Sequence, residues 1–175
     1  VHAGIYYPKD SKKARLCVDG SRMLYEFCTK HEVRYRKVGK FVPGIDPDEV
    51  DQVHRLFKAG LENGAIGLRM LSRLERDQLR EQMRCTEAFL SPETGIVDAH
   101  QMMSTLQMLS KNQGALFAYA VNAKGFQRIN DLWHIDAIDA DGQRLDIHCE
   151  VLINSSGIDA DRLADGVVGA GVEGA

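Results

Sequence analysis

The sequence predicts a mixed α/β (α+β) fold. Three observations carry that expectation. Segments with apolar residues at helical spacing alternate with short strand-like runs over roughly the first 110 residues. Helix-opening signatures stand at Asp46, Ser72 and Asp98. The later part of the chain changes character, with successive strand-like runs around Asp141-Gly142, a strong two-residue hairpin signal. Such a mixture buries its apolar faces by laying helices on a mixed sheet.

At 175 residues the chain can build a sizeable core, and 44% hydrophobic residues suit a globular protein. A net charge of -3 gives no electrostatic footprint for nucleic acid, and none is expected as a partner. No run of about 18 apolar residues exists to span a membrane. The start lacks the charged-then-apolar order of a signal peptide. Cys17, Cys28, Cys85 and Cys149 form no CxxC pair and read as small buried residues of a reduced, cytosolic-type protein.

In chain order, Asp10 or Ser11 caps a helix to about Lys30, with Leu16, Met23 and Phe27 on one side and Cys17, Leu24 and Cys28 beside them. Val33–Val38 and Lys40–Pro43 read as two short strands around Gly39. Asp46-Pro47-Asp48-Glu49 opens a helix whose stripe is Val50, Val53, Leu56, Phe57 and Leu61, and Asn63-Gly64 ends it. Gly67–Leu71 is a strand. Ser72 to Glu75 is a capping box opening a charged helix to about Met83, a solvated face. A strand over Thr86–Leu90 precedes a turn at Ser91–Gly95.

Asp98 and Gln101 cap the next helix, which turns Met102, Leu106 and Leu109 inward and stops near Asn112 to Gly114. Its methionines read as core filler. Strands are expected over Ala115–Ala123, Phe126–Ile129, Leu132–Ala137 and, alternating, Leu145 to Cys149. Val151-Leu152-Ile153 reads as a strand buried on both faces, feeding Asn154-Ser155-Ser156-Gly157 and a short helix near Ala160–Ala164.

The residues that can carry chemistry are few. Small residues at the Asn154–Gly157 turn let backbone N–H groups face an anion such as a pyrophosphate, or make an ordinary tight turn. Gly169 to Gly174 matches G-x-G-x-x-G without the strand and helix that a dinucleotide fingerprint needs. His2 is a structural histidine or a general base that titrates near neutrality. His31, His54, His100, His134 and His148 lack metal-ligand spacing along the chain, so no metal is expected.

Taken together, several motifs resemble the L-2-hydroxyglutarate dehydrogenases and oxidases, within the D-amino-acid-oxidase-like flavoproteins. They are His2-Ala-Gly-Ile-Tyr-Tyr7, Ala14-Arg-Leu-Cys17 with Leu24-Tyr25-Glu26-Phe-Cys28, Val38-Gly39-Lys40, Gly60-Leu-Glu-Asn-Gly64, Thr94-Gly-Ile-Val-Asp98, and Asn154-Ser-Ser-Gly157 with Ala160-Asp161. They fall in the family's order over roughly residues 1–165.

The resemblance implies a mixed-sheet substrate domain with flanking helices plus part of an FAD-binding domain. Residues 1–31 are then an FAD-domain loop and helix, 32–110 a substrate-binding cap region, 111–165 the return to the FAD domain, and 166–175 an unassigned tail. It implies FAD as cofactor and oxidation of a 2-hydroxy acid, favouring L-2-hydroxyglutarate, with oxygen or a quinone as electron acceptor. It places His2 as the base, Tyr6 and Tyr7 on the substrate carboxylate, and Gly4, Val121, Ser155, Ser156 and Gly157 against the cofactor.

The family's dinucleotide fingerprint precedes the His-x-Gly loop. The residues therefore read as an internal piece of a longer enzyme, inactive alone. The competing readings are a glycine-oxidase-like or glycerol-3-phosphate-dehydrogenase-like flavoenzyme and a truncated, non-catalytic remnant. The expected location is cytoplasmic, of bacterial type, with peripheral membrane contact of the parent protein allowed.

Overall fold

The computed structural model describes residues 1–168. They form two compact units, residues 1–114 and residues 115 onward.

The first unit begins with an irregular loop and helix α1, Lys12–Lys30, capped by the Ser11 hydroxyl on the Ala14 amide at 3.1 Å. Its buried line is Ala14, Ser21, Tyr25 and Cys28, at the i, i+7, i+11 and i+14 positions of one face. The expected stripe is corrected here: Leu16 and Met23 are 61% and 60% exposed. The buried face is mostly of small residues, and small residues admit close neighbours. A Cβ built on Gly4 would stand 2.8 Å from Val18 Cγ2. Further along, the Tyr25 hydroxyl donates to the Glu93 carbonyl at 2.8 Å, and burial pushes its pKa up, with Glu93 adding to the effect.

Strands β1 (Tyr35–Lys37) and β2 (Lys40–Gly44) are adjacent in sequence but belong to different sheets. Gly39 sits between them at φ 70, its amide on the Thr94 carbonyl at 2.9 Å. Helix α2, Pro47–Glu62, starts as expected, with Asp46 capping the Glu49 amide and the Glu49 carboxylate returning to the Ile45 amide. Strand β3 is short, Arg69–Met70. Helix α3, Arg73–Gln78, ends well before Met83, with Leu79 to Gln82 in turns. Its Glu75 closes the capping box with Ser72, and the Arg69 guanidinium is the main cause holding its pKa down to about 2.

Strand β4 (Glu87–Ser91) is central to an antiparallel sheet of order β2-β4-β3. Strand β5 (Gly95–Val97) pairs antiparallel with β1, where the sequence reading had only a turn ending at Gly95. Three residues are too few to show a period in sequence. The core joins Ala3, Ile5, Val42, Val53, Ala65, Leu68 and Phe89, with Leu56, Phe57 and Met70 at its edge. Leu61, expected in the α2 stripe, is 51% exposed.

Helix α4, Ala99–Asn112, is capped by Asp98, whose carboxyl lies below its usual pKa because it accepts from the Gln101 amide and pairs with Arg34. None of its residues is buried, and Met103, Leu106 and Met108 are about half exposed. The methionines are therefore not core filler within this unit. The helix is tied by its first turn, through Gln101 to the Arg34 amide and the Glu32 carbonyl.

The second unit is a meander of β6 (Asn122–Ile129), β7 (Leu132–Ile138) and β8 (Arg144–Cys149), with β9 (Val167–Val168) parallel to β6. Asn130 and Asp131, both at positive φ, make the two-residue β6–β7 turn that the sequence reading passed over. Gly142 at φ 80 and the Asp139 carboxylate, which accepts from the Asp141 and Gln143 amides, shape the expected β7–β8 turn. Phe126, Ile135 and Ala137 are buried.

Two strand expectations fail here. Residues 115–121 are irregular, and so is Val151–Ile153, where Val151 and Ile153 are 72% and 78% exposed. A doubly buried strand needs a ladder partner on at least one edge, and neither segment pairs with a described strand. Helix α5 spans Ala160–Asp165. The four cysteines are free thiols. Cys28 alone is buried and the other three are half-buried. The Gly169–Gly174 motif lies outside the described residues. Among those described, no helix is long and apolar enough to cross a membrane.

Candidate functional site

The structure fixes the His2–Tyr7 loop at four points. Val1 and Gly95 exchange backbone hydrogen bonds, at 2.6 and 3.3 Å. Ala3 and Ile5 are core residues, 7% and 2% exposed. Gly4, at φ 81, passes too close to Val18 for any side chain. The Asn63 amide nitrogen donates to the Gly4 and Tyr7 carbonyls at 3.1 and 2.9 Å. Ala3, Gly4 and Ile5 are buried as a continuous run, and His2 and Tyr6 at its two ends are left exposed.

Cations stand beside both tyrosines. The Lys40 ammonium donates to the Tyr6 hydroxyl at 2.5 Å and lies 4.5 Å from that ring's centre, and Lys13 lies 5.9 Å from the Tyr7 ring. The loop thus offers an exposed imidazole, a phenol and an ammonium on a fixed backbone.

Asn63 and Lys40 have roles here that the sequence reading did not assign. Asn63 was legible only as a helix stop, and it is indeed the C-terminal cap of α2. Lys40 stood in a quoted motif without a function. Replacing Asn63 by alanine is expected to lower the stability of unit 1 by about 1–3 kcal/mol, because two loop carbonyls lose their donor. Urea unfolding checks the size. Hydrogen exchange checks the place, since amides of residues 2–7 should exchange faster while those of β4 do not.

In the second unit the Asn154–Gly157 turn is held by its own side chains. Asn154 Oδ1 accepts from the Ser156 amide and hydroxyl at 3.3 and 2.6 Å, and its Nδ2 donates to the Ala160 carbonyl at 2.7 Å. Gly157, at φ 65, has open space where a Cβ would sit. Ser155 and Ser156 rim a cleft of about 330 Å³ walled by Ala123, Phe126, Ile135 and Leu152. Val121 immediately precedes β6 and is half-buried. Across β7 and β8, His134, Asp146 and His148 share one face with their ligand atoms within 4.8 Å of one another.

The Asn154–Gly157 turn and its cleft have donor chemistry suited to one end of a dinucleotide. The cleft is apolar with a hydroxyl and amide rim, and the Ser155 and Gly157 amides donate to no other described residue. Ser156 is the poorer candidate of the three, since Asn154 already takes both its amide and its hydroxyl.

Comparison with known proteins follows the same line. The chain is 32% identical over 191 residues to the mitochondrial L-2-hydroxyglutarate dehydrogenase of Arabidopsis thaliana, covering 94% of this chain and 39% of the relative. The human mitochondrial L-2-hydroxyglutarate dehydrogenase is 27% identical over 172 residues, 94% of this chain and 37% of that protein. The chain thus spans under two fifths to about two fifths of the length of these relatives. Their names are mitochondrial, which overturns the expected cytoplasmic, bacterial-type location.

Among solved structures, an L-proline dehydrogenase from P. horikoshii superposes with a TM-score of 0.77 at 14% identity, over 95% of this chain and 43% of that one. A glycine oxidase from Geobacillus kaustophilus gives 0.75 at 14% identity, over 94% and 45%. At that identity the likeness shows the fold. With the profile of FAD-dependent oxidoreductases of the DAO type matching residues 1–174, the chain belongs to the DAO family.

Proposed function

We propose that the protein carrying this chain oxidises a 2-hydroxy acid, with L-2-hydroxyglutarate favoured, to the 2-oxo acid. The observation that carries the reading is a His-x-Gly-x-x-Tyr loop held rigidly by the core and Asn63, in a chain whose curated relatives are named for that substrate.

The oxidation removes a proton from the substrate hydroxyl and a hydride from C2. His2 takes the proton, because an imidazole nitrogen can accept it from the hydroxyl in the transition state. Tyr6, with Lys40 donating to its hydroxyl, receives a substrate carboxylate, and Tyr7 with Lys13 flanks it. FAD, when bound, supplies the hydride acceptor. On this chain Gly4, Val121, Ser155 and Gly157 would hold it, with Ser156 contributing mainly to the shape of its turn. Residues 1–31 and 111–165 serve the cofactor and 32–110 the substrate. Oxygen or a quinone reoxidises the enzyme, and a peripheral membrane contact brings a quinone within reach.

The test is anaerobic addition of L-2-hydroxyglutarate to the flavin-loaded protein. The flavin absorbance is expected to bleach with L-2-hydroxyglutarate, and not with glycine or glycerol 3-phosphate. Bleaching by an amino acid instead would overturn the substrate assignment.

A further inference from the structure

We propose that His134, Asp146 and His148 form a surface site for a divalent transition metal of the zinc type, built from none of the residues assigned above to the loop and turn. In sequence these residues stand too far apart to read as a ligand set. The β7–β8 register brings them together. His134 is the direct partner of His148, and a period of two places Asp146 on the same face as His148.

The two imidazole centroids are 4.1 Å apart, and His148 Nε2 lies 3.0 Å from Asp146 Oδ1. All three donor atoms fall within 4.8 Å of one another. Bonds of about 2.0–2.1 Å around a tetrahedral ion require donors roughly 3.3 Å apart, so small side-chain rotations complete the geometry.

The donor set selects the metal. Two imidazoles and one carboxylate suit zinc, copper or nickel. Calcium and magnesium take mainly oxygen and would find one carboxylate. Three protein ligands leave a fourth position for water. Asp136, which pairs with Asp146 across the same face, adds negative charge that favours a dication, while Arg144 two residues before Asp146 opposes it. The opposite face of these strands carries the buried Ile135 and Ala137, so the site adds its ligands to a backbone already fixed by packing.

Titration of the full 175-residue chain with zinc chloride, read by calorimetry, tests the site. One equivalent is expected to bind, with histidine ring resonances of His134 and His148 shifting together. His134→Ala and His148→Ala should each weaken binding at least roughly tenfold, as loss of a direct ligand exceeds the loss of a supporting contact. His148→Asn and circular dichroism guard against a folding defect, and His54→Ala should bind as the parent chain does. Cobalt substitution should give ligand-field bands without a thiolate charge-transfer band. Zinc affinity unchanged in both histidine variants, or a thiolate band showing the cysteines as ligands, overturns the proposal.

Discussion

Phe89→Ala is expected to cost unit 1 about 3–5 kcal/mol, the range for truncating a fully buried phenylalanine. Phe89 is 0% exposed on the central strand of its sheet, and its ring centre lies 5.6 Å from that of Phe57 on α2. The cavity left behind would be lined by core residues from four sources: the loop (Ala3 and Ile5), the helix (Val53), the sheet (Val42) and the segment leading into β3 (Ala65 and Leu68). Gly60 already meets Leu68 and Ile5 so closely that a Cβ there would lie 2.5 Å from Leu68 Cδ1. Urea unfolding followed by circular dichroism checks the loss. A drop below about 1 kcal/mol would show that the pocket repacks and that the core is softer than its geometry implies. Since Ala3 and Ile5 share this core, faster hydrogen exchange over residues 1–7 is the second expected readout.

The elements that could be read in the sequence are those whose ends carry their own chemistry. Ser11, Asp46, Ser72 and Asp98 each cap the helix they were expected to open, because a side-chain oxygen reaching an amide three residues on is a local event. What a helix buries is not local. Leu16 and Met23 in α1, and Leu106 in α4 at the spacing of Met102 and Leu109, stand on an expected buried stripe but lie exposed in this chain. The choice of face depends on which neighbour arrives. The misread strands obey the same rule. Val151–Ile153 has the composition of a strand, yet a strand exists only with a partner, and none of the described strands pairs with it.

The candidate site divides in the same way. The family resemblance identified His2, Gly4 and the tyrosines, and Gly4 shows a physical reason for being glycine, since both its φ and its contact with Val18 forbid a side chain. Lys40 and Asn63 reach the loop from 34 and 59 residues away, and His134 meets His148 only through strand register. No spacing rule along the chain reports such contacts.

His2→Ala in the flavin-loaded protein is expected to lower turnover of the 2-hydroxy acid by roughly 10²–10⁴, the range for removing a general base. The structure makes the substitution a clean test. His2 is exposed, while the residues on either side are anchored: Val1 by Gly95, Ala3 by the core. Removing the imidazole therefore leaves the loop in place, and stability should change by no more than about 0.5 kcal/mol, as for other exposed positions. Since the base acts on the reacting hydroxyl and not on the carboxylate, kcat should fall with KM nearly constant. The two tyrosine sites should give the opposite split. Tyr6→Phe removes the hydroxyl that accepts from Lys40, so its effect should appear mainly in KM. Chemical rescue separates a base from a mere spacer. In His2→Ala, added imidazole should restore part of the rate. A variant that keeps full turnover would show that the proton leaves by another route, and His2 would then be an exposed histidine on a well-held loop.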